Sequence, residues 1–191
     1  MASLDVSEFQ IKPLSNTKYV NPVTIEYTQN NVQKTWEAVE SFDSVAVLLY
    51  HKQKDAFVLV KQFRPPVFMH HKEFAFTYEL CAGLIDKDCS LEQTVKEEIE
   101  EECGYSVSLD KIEKVSSFFT NVGVSGAKQH LYFAQITQED KISEGGGINT
   151  EEIELVYLDL KDAKKFIYDE SKAKTPGLMF AFYWFFEKFG K

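Results

Sequence analysis

Apolar and polar residues alternate from Val23 to Tyr27 and again over Val32 to Val39, with Thr28, Gln29, Asn30 and Asn31 between them. Period-two patterning around turn formers predicts an N-terminal β-hairpin. Two stronger apolar runs, Ser44 to Tyr50 and Ala56 to Gln62, predict strands joined by the polar turn His51 to Asp55, and Pro65-Pro66 stops the second. Phe74 to Cys81 reads as one more strand, ending at Ala82-Gly83. Ser90 is a predicted N-cap with Gln93 three places on, and the helix it opens runs to Cys103. Leu91, Val95, Ile99 and Cys103 form its buried stripe, and Gly104 takes the left-handed position past its end. Strands follow at 112–119, 129–136 and 153–160, and helices at 161–170 and 176–189. This order predicts an α/β (α+β) protein with a mixed sheet between helical layers. Residues 1–40 form an extension, and 41–191 form the main domain.

Composition narrows the function classes. A hydrophobic content of 44% supports a sizeable core. The formal net charge of −9, without a run of Lys or Arg, argues against nucleic acid and anionic lipid as partners. An anionic small molecule then needs a local positive charge, such as a metal ion. Cys81, Cys89 and Cys103 are an odd set without a disulfide-like framework and read as reduced thiols. Met1 to Gln10 holds two acids and no apolar run, unlike a secretion leader. The apolar stretch Leu178 to Phe186 is half a membrane span and reads as a buried helix. A cytoplasmic protein is expected.

The run Glu97-Glu98-Ile99-Glu100-Glu101-Glu102 is the chemically suggestive segment. At about 100° per residue, Glu98, Glu101 and Glu102 fall on one helix face and Glu100 nearly opposite. Glu98 and Glu102 repel at i,i+4 spacing, near a helix end whose dipole disfavours anions. Lys96 is the one cation nearby and does not neutralise the cluster. Three converging carboxylates suit a hard divalent ion. His70 and His71 are adjacent on a predicted loop, a poor geometry for sharing a metal.

The segment from Gly83 to Tyr105 resembles the box of the Nudix hydrolase family, in which two glycines bracket a helix ending Arg-Glu-hydrophobe-any-Glu-Glu. Both glycines, Ile99, Tyr105 and the Glu98, Glu101 and Glu102 trio match without insertion. The resemblance implies a Nudix α/β/α sandwich in 41–191. It also implies Mg²⁺, with Mn²⁺ as a substitute, on Glu98, Glu101, Glu102 and the Ala82 carbonyl. Cys89 stands where the family has Glu, and Glu97 where it has Arg. Those two residues pair in the family to brace the loop on the helix, so a weaker loop–helix unit is expected here.

Val60-Lys61-Gln62-Phe63-Arg64-Pro65 and Glu79-Leu80-Cys81-Ala82-Gly83-Leu84-Ile85-Asp86 are similar to segments of ADP-ribose and nucleotide-sugar diphosphatases. By that similarity Arg64 holds a substrate phosphate and Glu79 lines the site. Val122-Gly123 and Gly126-Ala127 stand where ADP-ribose enzymes carry Pro-Gly and an acid, a variant that looks most like UDP-glucose (UDP-sugar) diphosphatases. The loop Gly145-Gly146-Gly147 is read as a mobile lid, and after it Glu151, with Glu152 behind, is the expected general base. Glu101 counts as both ligand and catalytic group. The implied reaction is hydrolysis of a nucleoside-diphosphate sugar, UDP-glucose giving UMP and glucose 1-phosphate. The rival readings are an ADP-ribose diphosphatase and a binding protein of weakened catalysis. Similar enzymes dimerise through their N-terminal strands, so 1–40 is expected to join a homodimer.

Overall fold

The computed structural model describes residues 9–17 and 19–191; the first eight residues, within the stretch read above as lacking a leader, lie outside them. β1 (Asn21–Gln29) and β2 (Val32–Glu40) form the expected hairpin. Its turn is shorter than expected, just Asn30-Asn31, with φ of 53° and 62°. Asparagine tolerates this left-handed backbone, whose twist matches the flanking strands, so Thr28 and Gln29 join the ladder. The register puts Val23, Ile25, Tyr27, Trp36 and Ala38 on one face. A two-stranded ribbon is marginal alone. This one is anchored by the Trp36 indole N–H donating to the Gly123 carbonyl at 2.9 Å and the Val39 N–H donating to the Val124 carbonyl at 2.8 Å.

The main sheet grows around β3 (Ser44–His51) and β4 (Ala56–Gln62). β8 (Lys128–Ile136) runs parallel to β3, with β7 (Glu113–Phe119) antiparallel outside it, and β9 (Ile153–Asp159) pairs along all of β4. β3 and β4 pair only at Leu49–His51 against Ala56–Val58, and then part. The gap is filled by β5 (Thr77–Glu79) on β4 and β6 (Cys81–Leu84) on β3. The single strand expected at 74–81 is therefore two, split at Leu80. Each diverging edge has its own backbone groups to satisfy, and one straight strand does not serve both. Pro65-Pro66 ends β4 as expected but also opens α1 (Pro65–His70), at helix positions where a missing N–H costs nothing. A two-residue strand, β10 (Ala173–Lys174), pairs with β5.

Alternate side chains of the central strands face opposite ways. Val45, Val47, Leu49, Val58 and Val60 pack under α2 (Leu91–Glu98) through Val95 and, beyond it, Ile99. Ala46, Leu48, Phe57 and Leu59 pack on α3 (Leu160–Tyr168) and α4 (Pro176–Phe189). Phe57 stacks on Phe182 at 4.4 Å between ring centres. Full burial of each such side chain contributes roughly 1.5–3 kcal/mol. The sheet is thus covered on both faces, the α/β/α sandwich expected from the sequence. Among the described residues, no helix is long and apolar enough to cross a membrane.

Candidate active site

Ser90 caps α2 as expected, its hydroxyl accepting the Gln93 N–H at 3.2 Å. The helix does not continue in α form to Cys103. After Glu98 it widens into a π turn over Ile99–Cys103, where the Gly104 N–H reaches the carbonyls of both Glu100 and Ile99. Gly104 has the predicted left-handed φ, 71°. Widened turns of this kind are frequent at functional sites. Here the turn carries Glu102 inward. Its carboxyl accepts the Ala82 N–H at 2.9 Å, and the residue is 5% exposed. Glu98 lies over Gly83 so closely that a methyl group there would stand 1.9 Å from its Oε1. Glu100 points away, towards Lys96 and the Ser106 hydroxyl.

Burial raises the Glu102 pKa from 4.5 to about 8, and the nearby carboxylates of Glu98 and Glu151 push the same way. Glu98 is raised from 4.5 to about 7, by burial first and by Glu101 beside it second. Glu98 and Glu102 are therefore brought together at the Ala82–Gly83 edge of β6, with Glu101 beside Glu98. Among the described residues, no three His, Cys, Asp or Glu side chains form a ready-made metal cage. The donors are nevertheless hard oxygens, Glu102 buried and Glu98 half-buried, and neither has a cationic side chain bonded to it among the described residues. That is the chemistry a divalent ion of the Mg²⁺ class satisfies.

The glycine loop is docked, not open. Gly145, Gly146 and Gly147 have φ of 67°, 109° and 86°. The N–H groups of Gly146 and Gly147 donate to the Glu102 and Glu101 carbonyls at 2.8 and 3.1 Å. A Cβ on Gly145 would stand 2.4 Å from the Glu102 carbonyl oxygen. The glycines permit backbone-on-backbone contact and satisfy carbonyls orphaned at the helix end. The same loop delivers Glu151, whose carboxylate accepts the Ile148 N–H at 2.9 Å and acts on both Glu98 and Glu102. Glu152 is exposed, one residue further along.

Arg64 and Glu79, both expected at the substrate, meet each other in a two-pronged ion pair at 2.8 and 2.9 Å. The buried Thr77 hydroxyl donates to Glu79 at 2.5 Å. The Arg64 guanidinium is held charged by Glu79 first, and also feels Glu102 and Glu151, so it belongs to the same site.

The loop and helix, expected to lack the family's brace, are bridged by a different pair. Lys96 is not the only cation nearby: the Lys87 ammonium reaches from the loop to Glu97 at 2.7 Å. Gln93 Nε2 donates to the other Glu97 oxygen at 2.9 Å, and Cys89 sits 3.3 Å from the Thr94 hydroxyl. Lys87 lies in the quoted box segment, but no periodic rule pairs a loop residue with a helix flank. His70 and His71 do not join the site; His70 closes α1 and His71 faces Glu73 at 3.6 Å.

Comparison with known proteins gives the arrangement a family. Residues 41–176 match the NUDIX domain family, beginning one residue after β2 ends. The chain is 36% identical over 196 residues to a uridine diphosphate glucose pyrophosphatase of Bos taurus, covering 88% of each protein. Against the Mus musculus protein of the same name the identity is 31% over 202 residues, covering 91% of each. A GDP-mannose pyrophosphatase of Cronobacter sakazakii is 32% identical over 165 residues, covering 84% of this chain and 85% of that protein. With its box folded as a capped helix whose glutamates meet the Ala82–Gly83 edge, this chain belongs to the Nudix hydrolase family.

Proposed function

We propose that the protein hydrolyses the diphosphate linkage of a nucleoside-diphosphate sugar, with UDP-glucose as substrate and UMP and glucose 1-phosphate as products. The observation that carries this reading is the pair of carboxyls, Glu102 buried and Glu98 half-buried, set against the Ala82–Gly83 edge. Two of the relatives are named for cleaving that substrate, which supports uridine as the base and glucose as the sugar.

Nudix hydrolases generally use divalent metals such as Mg²⁺. Glu98, Glu101, Glu102 and the Ala82 carbonyl would hold it, with Mn²⁺ as a substitute. When bound, the ion neutralises the diphosphate and makes a water easier to deprotonate. Arg64 orients the diphosphate through its guanidinium, and Glu79, steadied by Thr77, fixes that guanidinium. Glu151 accepts the proton of the attacking water as its oxygen bonds to phosphorus and the anhydride P–O bond breaks. Glu152 is the second candidate for that role.

A homodimer through the hairpin is part of this reading. Ile25, Val32 and Trp36 are 46%, 55% and 53% exposed on an otherwise marginal ribbon, and burying them against a second copy offsets that cost. Three free cysteines support a reducing, cytoplasmic setting.

The test is a panel of UDP-glucose, GDP-mannose and ADP-ribose with Mg²⁺, read as released monophosphate, with Glu102→Gln as control. Turnover of UDP-glucose above the other two, lost in the control, supports the proposal. Preference for ADP-ribose, or binding without release, replaces it with one of the rival readings.

A further inference from the structure

Residues 85–90 connect the two elements that carry the proposed metal ligands, β6 with Ala82 and α2 with Glu98. The start of this loop is tied by the Ile85 N–H to the Asp43 carbonyl at 2.9 Å. Its end is tied by the Ser90 cap and by Cys89 against Thr94. Between them, Lys87 reaches across to the flank of the helix. Its ammonium stands 2.7 Å from Glu97 Oε2, while Gln93 holds Glu97 Oε1 at 2.9 Å. Glu97 is the residue just before Glu98, so this contact grips the helix next to a proposed ligand. The Lys87 backbone takes part as well, its carbonyl accepting the Cys89 N–H at 3.0 Å.

An ion pair this exposed adds little to global stability. Its value lies in geometry. The brace that the box usually builds from Glu and Arg is missing here, Cys89 and Glu97 holding those places. An ion pair from a different loop position spans the same two elements.

We propose that Lys87 is a positioning residue, clasping loop 85–90 to α2 through Glu97 and Gln93 and so setting the distance between the Ala82 edge and the Glu98 carboxylate. This rests on the reading of that edge and carboxylate as the metal site. The sign of the Lys87 charge separates a clasp from a bystander. A cation in the field of Glu98 and Glu101 opposes a divalent ion. If Lys87 acted only as a charge, its removal would tighten metal binding; if it acts as a clasp, removal loosens it.

The experiment uses the full chain, freed of metal, as wild type, Lys87→Met and the swapped pair Lys87→Glu with Glu97→Lys. Two quantities are read without substrate: Mn²⁺ binding by electron paramagnetic resonance, and amide hydrogen exchange over 85–90. Lys87→Met is expected to weaken Mn²⁺ binding about tenfold, as loss of an outer-shell partner does, and to speed loop exchange. The swapped pair is expected to recover slow exchange. Tighter or unchanged Mn²⁺ binding in Lys87→Met, wild-type exchange there, or no recovery in the swap overturns the clasp. Glu102→Gln keeps the two readings apart. Unchanged Mn²⁺ binding in that variant sinks the metal site itself, whereas its loss alongside a wild-type Lys87→Met sinks the clasp alone.

Discussion

Take the protein stripped of divalent ions by a chelator and moved from pH 6.5 to pH 9. Glu102 holds its proton with a pKa of about 8 in the fold, against 4.5 ordinarily. A carboxyl whose folded pKa is raised stabilises the fold fully below 4.5 and loses that contribution as pH climbs through 8. With 1.36 kcal/mol per unit, the part lost between pH 6.5 and 9 is about 2 kcal/mol. Glu98, at about 7, shifts stability in the same direction, with a smaller share because it is less buried. Total stabilities are typically about 5–15 kcal/mol, so the effect is readable. Urea unfolding in chelator is therefore expected to show the wild type weaker at pH 9 than at pH 6.5, and Mg²⁺ to restore it at pH 9. Glu102→Gln keeps an acceptor for the Ala82 N–H but has nothing to titrate. Its pH slope is expected to be shallower by about 2 kcal/mol over that range, with little response to Mg²⁺. A variant as steep as wild type, or stabilised as much by Mg²⁺, refutes the reasoning.

Gly83→Ala puts a methyl 1.9 Å from Glu98 Oε1 and must displace that carboxylate; steady-state kinetics should show kcat down about 10²-fold, as expected for a misplaced reacting group. Glu151→Gln is expected to lower kcat by about 10²–10⁴ and Glu152→Gln by far less, measured as UMP release; equal losses would count against Glu151 as the base. Gly145→Ala meets both a left-handed φ of 67° and the Glu102 carbonyl at 2.4 Å. Thermal unfolding should show it destabilised by about 1–3 kcal/mol, and an unaltered melt would mean that the loop is not docked.

How much of this was legible in the sequence depended on how local each feature is. Ser90, the apolar stripe and Gly104 identified the helix because caps and periodicity involve neighbouring residues. The glutamate trio followed from the same period. The π turn did not, since it accompanies contacts that Glu101 and Glu102 make with Gly146, Gly147 and Ala82, all distant along the chain. The same holds for the strand expected at 74–81. Its residues look like one extended run, and only the parting of β3 from β4 decides that Glu79 and Cys81 serve different partners. The glycine loop was read as freedom because glycine permits both mobility and close approach, and the helix end it covers selects the second. Resemblance nominates Arg64 and Glu79 for the proposed site one by one, and only the structure shows that each is the other's partner.

The split at Leu80 ties two tasks to one short span. Glu79, on one side of it, steers the guanidinium meant for phosphate; Ala82, on the other, supports the acid meant for metal. Any shift in the β3–β4 parting moves both at once, so the proposed grips on phosphate and on metal share a single mechanical coordinate. Retuning one without the other has to come from elements beyond that span, such as the glycine loop or the hairpin.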